Sequence, residues 1–348
     1  MIQNSKRLYE IAVGAVPGTG ASTSPKLESR PARSVFAKLE GRFLAIWIAL
    51  GVLLVADAIF LPRSLNATTL LAVSPFAAFL AIAAIGQATV IMARGIDLSV
   101  PAIIALSSSV LIGVSGGSDE RLWIAIAAAL LAAVLVGTIN GLLIAFLRLN
   151  ALIVTLAAGA IITGLTLWYR QSMGAESPVP PSLAVFGNGR IAGVPTAVVI
   201  AVIIVIGAVL FFTKTVTGRR FEAAGCNPDA AFITGINVKL YQAGAYVGAS
   251  LLYGVAAVLL AGFIGNPTLD VGNPYFMAPI AAAVLGGVAM TGGIGNMLSV
   301  AVAAAFLIQL DQSLKMLGLP TSWQLVIQGV AIGVGMWMSE VKSTVRRG

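Results

Sequence analysis

Long apolar stretches dominate the chain, and its charged positions fall between them. Residues 64–93, 98–118, 122–147, 149–169, 191–213, 240–269, 271–310 and 316–339 contain no Asp, Glu, Lys or Arg, and 43–61 is interrupted only by Asp57. A helix needs roughly 20 apolar residues to cross the hydrocarbon core of a bilayer. The run at 271–310 is about twice that length and carries Thr291-Gly292-Gly293-Ile294-Gly295-Asn296 in its middle. Such a glycine cluster is a turn signal, so this run predicts a helical hairpin. The pattern as a whole predicts ten spans: about 43–61, 70–92, 99–116, 122–146, 150–168, 194–213, 241–264, 275–290, 297–312 and 323–340. The runs are continuously apolar rather than alternating, which argues against β-barrel strands. The expected fold is therefore an all-α polytopic membrane protein.

Composition strengthens this reading. Of 348 residues, 58% are hydrophobic and only 10% charged, with a mean hydropathy of +0.98. Soluble domains carry about 25% charged residues, whereas the bilayer interior penalises charge. Histidine is absent and Cys226 is the only cysteine. That removes intramolecular disulfides, cysteine-cluster metal sites and histidine-based triads or relays. An enzyme would have few catalytic groups to work with, and no cofactor is expected on this chain.

The net charge of +8 is a matter of topology. An even number of spans puts both termini on one side. That side holds Lys6, Arg7, Lys26, Arg30, Arg33, Lys38, Arg42, Arg94, Arg148, Lys214, Arg219, Arg220, Lys239, Lys342, Arg346 and Arg347; the other holds Arg63, Arg121, Arg170, Arg190 and Lys315. The positive-inside rule places the first group in the cytoplasm, and nucleic-acid binding is not expected. Residues 1–42 are expected to be a largely disordered basic cytoplasmic tail, residues 43–340 the membrane domain, and 341–348 a second cytoplasmic tail. The larger connections are 169–193 outside, rich in Pro, Gly and Ser, and 214–240 inside. Asp57 and Asp311 are expected near solvated outer span ends. Trp123, Trp168, Tyr169, Trp323 and Trp337 fall near span ends, where aromatic belts meet lipid headgroups.

The loop at 214–240 carries the clearest local signal. Asn227 is a good N-cap, Pro228 suits the first helical position, Asp229 complements the helix dipole, and Gly235 can end the helix in the left-handed conformation. A short capped helix with the side chains Ala230, Ala231, Phe232 and Ile233 follows from this. Such a surface suits docking, either on the chain's own bundle or on a partner.

The segment Gly218-Arg219 … Ala223-Ala224-Gly225, then Asn227-Pro228, Ala230-Ala231, Gly235-Ile236 and Val238 resembles the cytoplasmic loop of the ribose/xylose/galactoside-type permeases of ABC importers. Arg94-Gly95-Ile96-Asp97-Leu98-Ser99-Val100 is similar to that family's GIDLSVG segment, departing at Pro101, where the family usually has Gly. Stretches beginning at Asn140, Asn150 and Ala281 fit the same pattern in family order. The resemblance implies two five-span halves of opposite orientation, and a coupling helix at Asn227–Gly235 that inserts into a cytoplasmic ABC ATPase subunit. It also implies a second permease copy, identical or homologous, a periplasmic sugar-binding protein, surrounding membrane lipid, and alternating access in the bacterial inner membrane. ATP and Mg belong to the ATPase, because this chain has no G-x4-G-K-[ST] phosphate loop. Gly95, Ile96, Asp97, Ser99, Asn140 and Asn150 are candidates for the translocation path or for structural capping. For Asp97 the residues leave open a cap, an Arg94 partner or a pathway carboxylate; Gln87, Gln309 and Gln324 are further polar candidates. A non-sugar small polar solute, or a carrier or channel without an ATPase, remains the alternative; the latter would need intramembrane ionisable groups, which are few here.

Overall fold

A computed structural model describes residues 33–173, 178–320, and residues 322–324, 326–327, 329–330 and 333. Residues 1–32 of the expected tail 1–42, the expected tail 341–348 and most of the expected span 323–340 lie outside the described residues; residues 33–42, expected in the largely disordered tail, are instead the start of a helix that runs on to Phe60. The described residues from Glu40 onward belong to one compact unit, and the packing below is that of this unit.

Before residue 320 the described residues form twelve α-helices: α1 (Arg33–Phe60), α2 (Ala67–Met92), α3 (Val100–Ser115), α4 (Leu122–Ala145), α5 (Ala151–Ser172), α6 (Pro181–Asn188), α7 (Thr196–Lys214), α8 (Val216–Cys226), α9 (Pro228–Ile233), α10 (Val238–Ile264), α11 (Ala278–Leu285) and α12 (Met297–Met316). A two-residue hairpin, Arg190–Ile191 with Val194–Pro195, is the sole sheet among the described residues. Seven helices among the described residues are long and apolar enough to cross a membrane; Val100–Ser115 and Leu269–Leu285 are shorter apolar elements.

Helices α2 and α10 form the centre. More than half of the apolar window of each is buried, whereas less than a third of that of α1, α4, α5 and α7 is buried. Lipid tails are as apolar as leucine, so close packing, not burial from water, holds such helices together. The sequence supplies the small residues this requires. A Cβ on Gly141 of α4 would lie 2.7 Å from the Ala243 carbonyl oxygen of α10, and one on Gly137 would overlap Ser250. Around this pair, α12, α7 and α11 pack on α2, and α3 bridges α4, α10 and α5.

One of the expected spans is not a continuous helix. Residues 93–99 connect α2 and α3 where a connection was expected, but the 275–290 span is reduced to a 3-10 segment (Leu269–Tyr275) followed by the eight-residue α11. Irregular backbone at membrane depth survives only inside protein or beside water. Here the 3-10 segment packs on α3, with Gly272 against the Pro101 carbonyl. Pro101 itself sits in the first turn of α3, where its missing N–H costs nothing. The Gly-rich 291–296 segment turns the chain between α11 and α12, with Gly292 and Gly293 both at positive φ. The expected loop at 169–193 contains a helix of its own: α6 packs on α10, with Gly187 against Gly262.

Two charged residues differ from expectation. Asp57 is only 3% exposed and accepts hydrogen bonds from Gln309 Nε2 (2.6 Å) and Ser313 Oγ (2.7 Å). It joins α1 to α12 instead of facing solvent, because two donors on one face of α12 satisfy it. Arg170 is buried too, donating to Ser109 Oγ at 3.1 Å and to the Pro267 carbonyl. Asp311 pairs with Lys315 one turn on.

Candidate functional site

The 227–235 helix forms as its residues dictate. Asn227 Oδ1 accepts the Ala230 N–H at 3.1 Å, and Pro228 occupies the first turn of α9. At the other end Gly235 has φ 83°. The Gly235 N–H donates to Phe232 O and the Ile236 N–H to Ala231 O, both at 3.0 Å. This pair of bonds is a Schellman termination, which satisfies carbonyls a helix end would otherwise leave open. Asn237 then starts α10 by accepting the Leu240 N–H at 3.2 Å. Asp229 and Ala230 are exposed, Phe232 is 75% exposed and Ile233 84%, while Ala231 is 4% exposed. Ala231 therefore faces the chain's own bundle, and the outward apolar surface belongs to Phe232 and Ile233.

Directly before α9, three distant parts of the chain meet. Arg94, just past the end of α2, donates from Nε to the Gly225 carbonyl (2.7 Å) and from an Nη to the Cys226 carbonyl (2.8 Å). The Gly293 N–H donates to the Met92 carbonyl at 2.8 Å. A Cβ on Gly225 would overlap the Met92 carbonyl and lie 2.7 Å from the Gly293 nitrogen, so only glycine fits. Arg94 holds φ 64°, a left-handed conformation that costs a non-glycine residue about 1–2 kcal/mol. The sulfur of Cys226 packs beside Gly293 at the edge of this junction. Burial and the neighbouring Glu222 carboxylate push its thiol above the ordinary value, against an opposing effect from the Arg94 guanidinium. Burial also raises Glu222.

Further along the α2–α3 connection, Asp97 and Ser99 are fully buried, and so is Asn140. Asp97 Oδ1 accepts the Ser99 N–H (2.9 Å) and Ser99 Oγ–H (2.5 Å), and Asn140 Nδ2 donates to Ser99 Oγ at 3.1 Å. The Gln87 amide, oriented by its neighbours, donates to the Asp97 carbonyl (3.1 Å) and the Tyr253 hydroxyl (3.0 Å) and accepts the Asp97 N–H (3.2 Å). The pairing of Asp97 with Arg94 left open by the sequence is not formed; Arg94 turns to the α8–α9 corner instead. Gly95 packs on the Tyr246 hydroxyl, and the Ile96 carbonyl accepts a long bond from Thr155 Oγ1 at 3.5 Å. Asp97 Oδ2, Asn140 Oδ1 and Ser250 Oγ have no hydrogen-bond partner among the described residues. Asn150 is a helix cap: its Oδ1 accepts the Leu152 and Ile153 N–H groups that open α5.

At the opposite end of α2, a cavity of about 430 Å³ opens between α2, α10, α12 and the 3-10 segment, and its walls include Phe76, Asn266, Asp270, Tyr275, Gln312 and Lys315. Sequence reasoning pointed to none of these as a group, since they come from four separated elements. It also missed the partners of Arg94; an arginine followed by glycine at a helix end was the sole local signal.

The sequence itself is similar to that of known proteins. Residues 69–334 match the family described as branched-chain amino acid transport system / permease component. The chain belongs to this permease family. Similar proteins include the ribose import permease of Escherichia coli (strain K12), 32% identical over 255 residues covering 72% of this chain and 79% of that protein. The ribose import permease of Bacillus subtilis (strain 168) is 31% identical over 306 residues, 86% of this chain and 93% of the relative. The galactose/methyl galactoside import permease of E. coli (strain K12) is 28% identical over 327 residues, 88% and 95% of the two chains. No solved structure gives a significant match. With its membrane-spanning helices, the permease is a multi-pass protein of the inner membrane.

Proposed function

We propose that this permease is the membrane-spanning subunit of an ATP-driven importer for a monosaccharide or related small polyol. The capped helix α9 carries this reading. It sets Phe232 and Ile233 outward on a short helix braced at both ends, a shape suited to a groove on a second protein. The similarity to ribose and galactose import permeases over most of the chain supports the substrate class. In this reading ten spans in two inverted halves put both termini and the 214–240 coupling loop in the cytoplasm. Asn227, Pro228, Asp229, Ala230 and Gly235 shape the helix, and Phe232 and Ile233 enter the ATPase. Two permease copies form the path, a periplasmic binding protein delivers sugar, and ATP with Mg is bound and hydrolysed on the ATPase.

Within the path, the fully buried Asp97–Ser99–Asn140 group fixes the α2–α3 break. The cavity at the opposite end would face the binding protein, with amide, carboxylate and aromatic groups that suit a sugar. An autoinducer 2 import permease is 31% identical over 291 residues, which favours a non-sugar polar solute as the second reading. The test is uptake in proteoliposomes holding the permease, its ATPase and its binding protein, with labelled ribose, galactose and xylose. ATP-dependent accumulation of one of them is expected. Accumulation without ATP would instead indicate a secondary carrier.

A further inference from the structure

The helix α9 is six residues long, and its buried contact with the bundle is confined to Ala231. Motion imposed on so small an element reaches the membrane core only through a stiffer connection. The structure provides one immediately upstream. The carbonyls of Gly225 and Cys226 close α8, where a helix leaves such groups open and its dipole favours a cation. Arg94 takes both with a planar two-point grip (2.7 and 2.8 Å), a geometry that a single ammonium cannot reproduce.

Arg94 is itself held on both sides. Behind it, the Met92 carbonyl at the end of α2 accepts the Gly293 N–H, and Gly225 packs against that same carbonyl with no room for a side chain. Ahead of it, Gly95 packs on Tyr246, and Asp97 is pinned by Ser99 and Gln87, with Asn140 donating to the same Ser99 hydroxyl. The corner between α8 and α9 thus cannot shift without carrying the end of α2, and α2 packs on α7, α10, α11 and α12.

We propose that Arg94 is the positioning residue that transmits motion of the ATPase-facing helix into the membrane core. The proposal rests on α9 being the ATPase-docking helix. Arg94 makes no contact with α9's exposed face; it acts through the two carbonyls that precede it.

The test uses the full importer in nanodiscs, with uptake and ATP hydrolysis measured on the same preparation. Arg94→Lys and Arg94→Ala are expected to keep the ATPase bound and hydrolysing within about twofold of wild type, while sugar moved per ATP falls at least tenfold, with Lys rescuing only part. A cap that merely stabilises the fold would lower both activities in parallel and leave the ratio unchanged, and that result overturns the proposal.

A measurement on the otherwise wild-type chain guards against variants that fail to fold. Nitroxides on Cys226 and on Thr68→Cys, at the far end of α2, report the distance across that helix, with labelled chains diluted by unlabelled Cys226→Ser copies. The clamp requires this distance to stay the same between nucleotide-free and ATP-trapped states, because the corner and α2 move as one body. A change of several ångströms in a transporting complex overturns the proposal. If no ATPase binds the wild-type chain at all, it is the functional assignment that fails, a separate and recognisable outcome.

Discussion

Replacing Phe232 with alanine strips the largest side chain from the outward face of α9 and leaves the helix itself intact. Its caps are Asn227 and Gly235, and Phe232 is 75% exposed, so no packing within the permease depends on the ring. A phenylalanine offers about 200 Å² for burial, of which some 150 Å² is still available here. At about 25 cal/mol per Å² that amounts to roughly 4 kcal/mol when fully covered. Alanine keeps part of that, and side-chain ordering offsets more, which leaves a loss of about 2 kcal/mol. Since about 1.4 kcal/mol is tenfold in affinity, the ATPase should bind some 30-fold more weakly. Ile233→Ala, removing a smaller side chain, should weaken it by about tenfold. The assay is titration of purified ATPase onto the nanodisc-embedded permease, with thermal unfolding of the free permease as the control. Binding within twofold of wild type for both variants would refute α9 as the docking element. Ala231→Arg is a different perturbation: Ala231 is 4% exposed, so the arginine disturbs the seat of α9 on its own bundle and should lower the unfolding temperature as well as ATPase binding.

Single cysteines at Ser182 and Thr217, both exposed, in a Cys226→Ser background should label from opposite sides of the membrane, position 217 from the cytoplasm; labelling of both from one side contradicts the topology. Asp97→Ala removes the acceptor for two Ser99 bonds inside a closed polar group and should destabilise the permease by about 2 kcal/mol, with reduced uptake. Asp97→Asn, which keeps an acceptor oxygen, should lose less; equal unfolding temperatures for Asp97→Ala and wild type would show that the network contributes nothing. Alkylation of native Cys226 needs the thiolate, and burial and Glu222 hold that thiol above its ordinary value. The rate should therefore be low at neutral pH and still climb above pH 9, and Glu222→Gln should shift the curve to lower pH; a rate already maximal at pH 7 is the contrary result.

The sequence alone determined what depends on local chemistry. Continuous apolar runs require helices that satisfy their own backbone in lipid, so the membrane class and most element positions were legible. The α9 helix was legible to the residue, because caps are written by Asn227, Pro228 and Gly235 themselves. Asn150, by contrast, was a candidate for the path or a structural motif, and the structure makes it the cap of α5 through Oδ1.

Only the tertiary structure decided which face of an element meets what. Ala231 turned inward while its neighbours Phe232 and Ile233 stayed out, because a six-residue helix seated on α8 and α10 has one inner position. The apolar run at 271–310 did not reveal that its first helix is cut to Ala278–Leu285, since residues buried in protein can leave the helix without any change in hydropathy. Asp57 looked interfacial because its donors, Gln309 and Ser313, lie some 250 residues away. Arg94 stood three residues from Asp97, yet its partners are the carbonyls of Gly225 and Cys226. Backbone carbonyls are present at every residue and carry no mark in a sequence; folding alone brings a particular pair of them within reach of a guanidinium.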